Sequence, residues 1–513
     1  MPSHFSINRR HLLLALAAPI ALMTACATTP TAPPVFQESA GLFRAVNRIG
    51  WGATQAQIDE ATQKGWAAYV EQQLLADPAA LRALPPAAQA QIDALSIQHR
   101  PIVELAQAAD ELRRNQDKPP TEDERKLARQ AYQAALNLTA REAGHRQLLR
   151  QVYSEQQLLE QMSWFWFNHF NVHQYKRDVR VLLPDYEEAA LRPNALGNFR
   201  QLLGAVARHP AMQRYLDNDQ NSAGRPNENY ARELLELHTL GVDGGYSQLD
   251  VQALARVLTG FGARTEAGPP KLKPEFARQY VRTGLFEFNP ARHDFGDKMV
   301  LGHAVKARGV AELDEVLDLL AAQPATARFV SRKLAVYFLS DTPPQALVEA
   351  MTRTFERSKG DIKATLRVLL LAPEFAAASP SKFKDPQHYL LSSLRASYGD
   401  QVIANSQPLQ GWLRRLGQGL YDKLTPDGYA MTADAWNSAG QMSTRFELAR
   451  TMAQGPAALF KPDGGETPAA PPKPALRGLP LTLSPATSTA LAKAATPQDW
   501  NALLLSSPEF MSR

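Results

Sequence analysis

The chain has 513 residues, of which 44% are apolar and 21% charged, with a net charge of +5 and a single cysteine. That is enough apolar material for a large core, and a near balance of charge with no long basic run argues against nucleic acid as a partner. One thiol excludes a disulfide framework, a cysteine metal cluster and covalent c-type haem, which needs a cysteine pair.

The first element in chain order is an export signal. Arg9 and Arg10 precede an apolar run over residues 11–23 that is too short to anchor stably across a bilayer. The stretch NRRHLLL is similar to a twin-arginine signal, read by an exporter of folded proteins, with the general route as the alternative. The run ends in Leu22-Met23-Thr24-Ala25-Cys26, which resembles a bacterial lipobox. Cleavage before Cys26 frees that residue for a lipid anchor; an ordinary signal with a stray cysteine is the plainer alternative. Loss of residues 1–25 leaves 54 basic against 51 acidic residues, a nearly neutral mature chain. Residues 26–39, with ATTPTAPP, read as a solvated tether.

From residue 42 to about 452 the apolar residues recur at spacings of three and four, as in AELDEVLDLLAA (311–322) and DIKATLRVLLLAPEF (361–375). This predicts a mainly α fold, one large multi-helix domain over residues 40–513. Thr121 with Glu124, and Ser247 with Asp250, predict capping boxes that start helices. Alternation around Phe286-Glu287-Phe288 and Met299-Val300-Leu301 predicts a short β-hairpin with His293 and Asp294 in its loop. Residues 455–480 are Pro- and Gly-rich and read as a mobile insertion. VLLLAPEF (368–375) and LLLSSPEF (503–510) read as equivalent helix stops.

Three polar constellations could carry chemistry. In NENYARELLELHTLG (227–241), read as one helix capped at Asn227 and ended by Gly241, Asn229, Arg232, Glu233 and Glu236 fall on one side of the helical wheel, with His238 among the leucines. Arg232 is expected to pair with Glu236, and Asn229 with Glu233. Either this is a self-satisfied seam between packed helices, or one carboxylate is left facing a cleft. In WFWFNHFNVH, His169 and His173 stand four apart, the spacing of helical zinc ligands, although the aromatic run allows a buried helix in which Asn168 and His169 satisfy backbone groups and which ends before His173. The third is His293-Asp294, either a ligand-bearing loop or one fastened by an Asx turn at Asp294.

These residues resemble a bacterial family catalogued as domain of unknown function 1800. The resemblance rests on ARELLELHTLGVDGGY with the following DV..LAR.LTGF, on WFWFNHFNV, HDFGDKMVLG, PATARFVSRKL, SKFKDPQHYLLSSLRA and LGQGLYDKLTPDGY, and spans about residues 40–513. It implies exported, mostly helical proteins with no established activity. Members are often encoded beside another exported family of unknown function, which implies a partner protein. One departure is Gln323, where the pattern leads one to expect histidine.

The expectation is therefore an envelope lipoprotein, held through Cys26 on the periplasmic side of the outer membrane, since Ala27 rather than aspartate follows the cysteine. If it is an enzyme, Glu233, Glu236, Arg232 and His293 form its catalytic set, and Asn229, Asn168, His238 and Asp294 bind. His169, His173 and His293 would hold a divalent zinc, iron or manganese ion for hydrolytic or oxidative chemistry. The alternative is a scaffold or binding partner of another exported protein, with the same residues as internal staples.

Overall fold

Helix-period spacing, punctuated by capping side chains, builds most of this chain. The computed structural model describes residue 36 and residues 39–75, 84–377, 382–399, 401–462, 465, 472–474 and 476–513. Residues 1–35, with Cys26 and most of the expected tether, lie outside the described residues. Among the described residues helices dominate and only two small sheets occur, so the fold is mainly α. No described helix is long and apolar enough to cross a membrane.

The capping expectations hold. Thr121 and Glu124 cap each other reciprocally and open the 32-residue helix Glu122–Tyr153, whose first turn carries Glu122, Asp123 and Glu124 against the positive helix end. Ser247 and Asp250 do the same for Gln248–Val257. Helix Gln157–His169 is buried on every face, Ser163 alone excepted, because its aromatic residues go all the way round. Phe170 leaves helical geometry (φ −106°, ψ 51°), so His173 is beyond the helix and shares no helix face with His169. The two proline stops also hold: Ile362–Leu370 and Pro497–Leu505 each end three residues before a proline.

The β region differs from the expected single hairpin. Strands β1 (Phe261–Ala263), β2 (Val281–Thr283) and β3 (Phe286–Phe288) form one antiparallel sheet in the order β1-β3-β2, with Phe288 opposite both Phe261 and Val281. Strands β4 (Lys298–Val300) and β5 (His303–Val305) pair separately, joined by Leu301 and Gly302, both at positive φ as a two-residue hairpin turn requires. The two alternating runs thus belong to different sheets, and His293-Asp294 lies in the connection between them.

The described residues form one compact unit. Its early helices are tied to the last third of the chain: Trp66 Nε1 donates to the Leu370 carbonyl at 2.9 Å and Arg395 Nε to that of Gly52 at 2.8 Å. Of the expected insertion, residues 463–464, 466–471 and 475 lie outside the described residues. The described remainder is anchored rather than free, with Leu459 and Leu476 buried and the Leu459 carbonyl accepting from the backbone of Ala404 and Asn405. Gln323, the departure from the family pattern, stands at the start of helix Pro324–Phe338 and folds back onto the Leu319 carbonyl.

Candidate functional site

The polar end of the aromatic helix brings together His169, His238 and Lys333. His169 is buried, with Nε2 3.1 Å from the His238 carbonyl and Nδ1 2.9 Å from the Nζ of Lys333. A carbonyl only accepts, so Nε2 carries the proton and Nδ1 accepts from the lysine. Burial, reinforced by Lys333 and His238, pushes the His169 pKa well below its usual value, so the ring is neutral. Lys333 comes from helix Pro324–Phe338 and its ammonium lies 5.3 Å from the centre of the Phe329 ring. It is half-buried, and no carboxylate among the described residues lies within ion-pair distance. Burial pulls its pKa down to about 8, against the upward pull of Asp427.

Next to this pair sits His238, fully buried with neither ring nitrogen hydrogen-bonded among the described residues, beside Tyr230, whose buried hydroxyl also lacks a partner among them. Their rings are 6.3 Å apart. Burial, with Lys333 second, lowers the His238 pKa to about 3.

Helix Glu228–Glu236 leads into this region, its Tyr230 ring lying beside His238. Asn227 caps it by accepting from Asn229 N, and Leu237 to Thr239 turn out of the helix before Gly241, which has φ 85°. Arg232 pairs with Glu228 at 3.1 Å and donates to Gln248, not to Glu236; Glu236 instead accepts from the Tyr246 hydroxyl at 3.0 Å. Asn229 donates to the Leu216 carbonyl, not to Glu233. Glu233 is thereby left half-buried with no hydrogen-bond or ion-pair partner for its carboxylate among the described residues. Burial, then Glu236 and Asp427, raise its pKa, with Arg232 opposing.

The loop over residues 420–429 is clamped beside the end of the aromatic helix. Asn168 holds it by donating to Tyr429 O at 2.9 Å and accepting from Tyr429 N at 2.6 Å. Asn171 donates to the carbonyls of Lys423 and Thr425, and the Tyr215 hydroxyl to that of Leu424. Gly428 passes so close that a Cβ there would meet the Asn168 carbonyl oxygen at 2.0 Å, and its φ of 76° favours glycine for a second reason. This clamp carries Asp427 into electrostatic reach of Lys333, Glu233 and Tyr215.

The remaining candidates lie elsewhere. His293 and Glu312 are fully buried with His293 Nε2 3.0 Å from Glu312 Oε1, and Lys298 Nζ lies 2.6 Å from Glu312 Oε2. The other ring nitrogen of His293 faces the Thr259 carbonyl at 2.7 Å. Asp294 accepts from Gly296 N, the Asx turn expected of it, and takes a two-point contact from Arg256, which holds its pKa down to about 2. These residues staple the loop between the sheets to the helix Ala311–Ala321. His173 is half-buried against Tyr175. The structure therefore does not bring His169, His173 and His293 together, and no group of three or more His, Cys, Asp or Glu positioned for a metal occurs among the described residues.

Sequence reasoning passed over Lys333, Asp427 and Tyr230 as site residues. A signal for Lys333 existed: it stands three residues after Val330 and four before Tyr337, on the apolar stripe of its helix, where a charge needs explaining. The comparisons agree with the sequence motifs. No curated protein and no solved structure matches this chain. The family described as protein of unknown function (DUF1800) matches it over residues 44–512, nearly its whole length, and the chain belongs to that family.

Proposed function

We propose that the chain is an exported, lipid-anchored enzyme whose reactive centre is the amine of Lys333, working with Glu233 on a carbonyl or ester bond. The observation that carries the reading is the 2.9 Å hydrogen bond from an amine without a carboxylate partner to a neutral imidazole. An amine whose pKa lies near 8 is partly neutral at physiological pH and serves as nucleophile or general base. Glu233, whose pKa is raised and whose carboxylate shares the field of Asp427 with Lys333, is the proton donor of this proposal. His169 is a positioning residue that orients the amine. This acid–base form is favoured over a metal-centred one because both nitrogens of His169 are already engaged.

The test is hydrolysis of an activated ester such as p-nitrophenyl acetate, with mass-spectrometric mapping of the acylated lysine as pH is varied. Lys333 is expected to label with a midpoint near pH 8, forming a stable amide that reports the free amine and ends turnover in that molecule, whereas hydrolysis by unlabelled protein, with the amine as general base towards water, should vanish in Lys333→Met and Glu233→Gln. Labelling of Lys333 only at the pH of surface lysines, with turnover unchanged in both variants, would sink the reading. Export and anchoring rest on Arg9, Arg10 and the lipobox. They predict a membrane-bound mature form beginning at a lipidated Cys26, and a soluble form with an unmodified cysteine would overturn them.

A second reading, a scaffold for another exported protein, is favoured by one observation. Asn168, Asn171, His293 and Asp294 all spend their polar atoms inside the fold.

A further inference from the structure

A second site lies along the segment that follows the aromatic helix. A cavity of about 290 Å³ opens between helix Glu122–Tyr153, residues 174–175 and helix Gln407–Arg415, with mostly polar walls. That is the lower end of the size of small-molecule sites, the room of one sugar ring.

Its side chains offer an alternating set of donors and acceptors. Asn137 gives its side-chain oxygen to Arg180 Nη1, which leaves its amide nitrogen as a donor. Gln174 spends its amide nitrogen on the Leu420 carbonyl and on Asp422, and Gln410 spends its own on Ser406. Both glutamines keep an amide oxygen without a partner among the described residues. Hydroxyl groups, which donate and accept at once, are what such a set matches best. Tyr175 is 55% exposed on the wall, and the Arg180 guanidinium 5.3 Å from its ring centre holds it in place. An exposed aromatic ring of this kind takes the apolar face of a sugar.

Two guanidiniums add charge. Arg414 is only partly compensated, with Nε 3.5 Å from Asp422, and Arg141 has no ion-pair partner among the described residues. A guanidinium beside hydroxyl-reading amides selects a carboxylate carried on a sugar. We propose that this cavity binds an acidic monosaccharide unit, a sugar bearing a carboxylate. The proposal is independent of the chemistry assigned to Lys333.

The test uses two probes that differ only at one carbon, D-glucuronate and D-glucose, titrated by NMR against the full mature chain. Glucuronate is expected to bind saturably in the millimolar range and at least tenfold more tightly than glucose, a difference of about 1.4 kcal/mol. Arg141→Gln should erase that difference, whereas Tyr175→Ala should weaken both sugars together. Both side chains are on the surface, so the variants should melt with the wild type. Absence of saturable binding, equal binding of the two sugars, or glucuronate binding untouched in both variants would each overturn the proposal.

Discussion

Lys333 and His169 meet at 2.9 Å across 164 positions of sequence, and the amine donates to the one imidazole nitrogen that the backbone leaves free. The bond fixes the tautomer of the histidine and gives the lysine a partner that cannot neutralise its charge. A side chain held in this way is a standing cost to the fold, because the ammonium is taken out of water without a carboxylate to pair with it.

The first prediction concerns that cost. Between about pH 8 and the ordinary lysine value of 10.5, the unfolded chain holds a proton that folded Lys333 has released. Unfolding free energy therefore gains from Lys333 as pH rises through this window, and the penalty is full below pH 8. Lys333→Met should be at least as stable as wild type at pH 7, with the advantage shrinking towards pH 10. Urea titrations of both proteins across that range measure it; a variant destabilised at pH 7 would show the ammonium to be favourably paired.

His238 carries the second. Its pKa near 3 means that the unfolded chain takes up a proton between pH 6.5 and 3 that the folded chain refuses, so stability falls as pH falls through that range. His238→Phe should lessen this slope by one proton, about 1.4 kcal/mol per pH unit, and cost little at neutral pH because neither ring nitrogen is hydrogen-bonded. Acid denaturation of the pair reads the slope. A loss of several kcal/mol at pH 7 would mean that the ring nitrogens have a partner, such as a buried water.

Glu312 should behave oppositely. Its removal in Glu312→Ala strands Lys298 and His293 in a fully buried site and frees the backbone N–H groups of Arg308 and Gly309. A loss of about 3–5 kcal/mol is expected from breaking such a buried pair. Chemical denaturation measures it, and a change below 1 kcal/mol, about the worth of an exposed pair, would contradict the staple.

The loop over 420–429 supplies the fourth. Asn171→Ala removes two bonds to its carbonyls, and Gly428→Ala drives a methyl group into the Asn168 carbonyl. Both should speed amide hydrogen exchange across 420–429 while leaving helix Glu122–Tyr153 protected. Unchanged exchange in Gly428→Ala would mean that the close approach can relax.

Much of this was legible in the sequence because it is local. The boxes at Thr121 and Ser247, the turn at Asp294 and the paired proline stops are each settled within four residues. Partner choice was not local. Arg232 had Glu228 and Glu236 at the same helical spacing, and the choice fell to Gln248 and Tyr246, which the next helix and its turn bring alongside. Strand pairing failed for the same reason, since alternation marks Phe286–Phe288 and Met299–Leu301 as strands without naming their neighbours, and the second strand in fact starts one residue earlier, at Lys298. Lys333 was visible as a charge on an apolar stripe, but only tertiary packing says that His169 waits opposite it.

The bonds from Trp66 to Leu370 and from Arg395 to Gly52 set the order in which the molecule can come into being. They join residues 304 and 343 positions apart, so the helices made first on the ribosome stay without their partners until the last third has been synthesised. Shortened chains should yield no stable core.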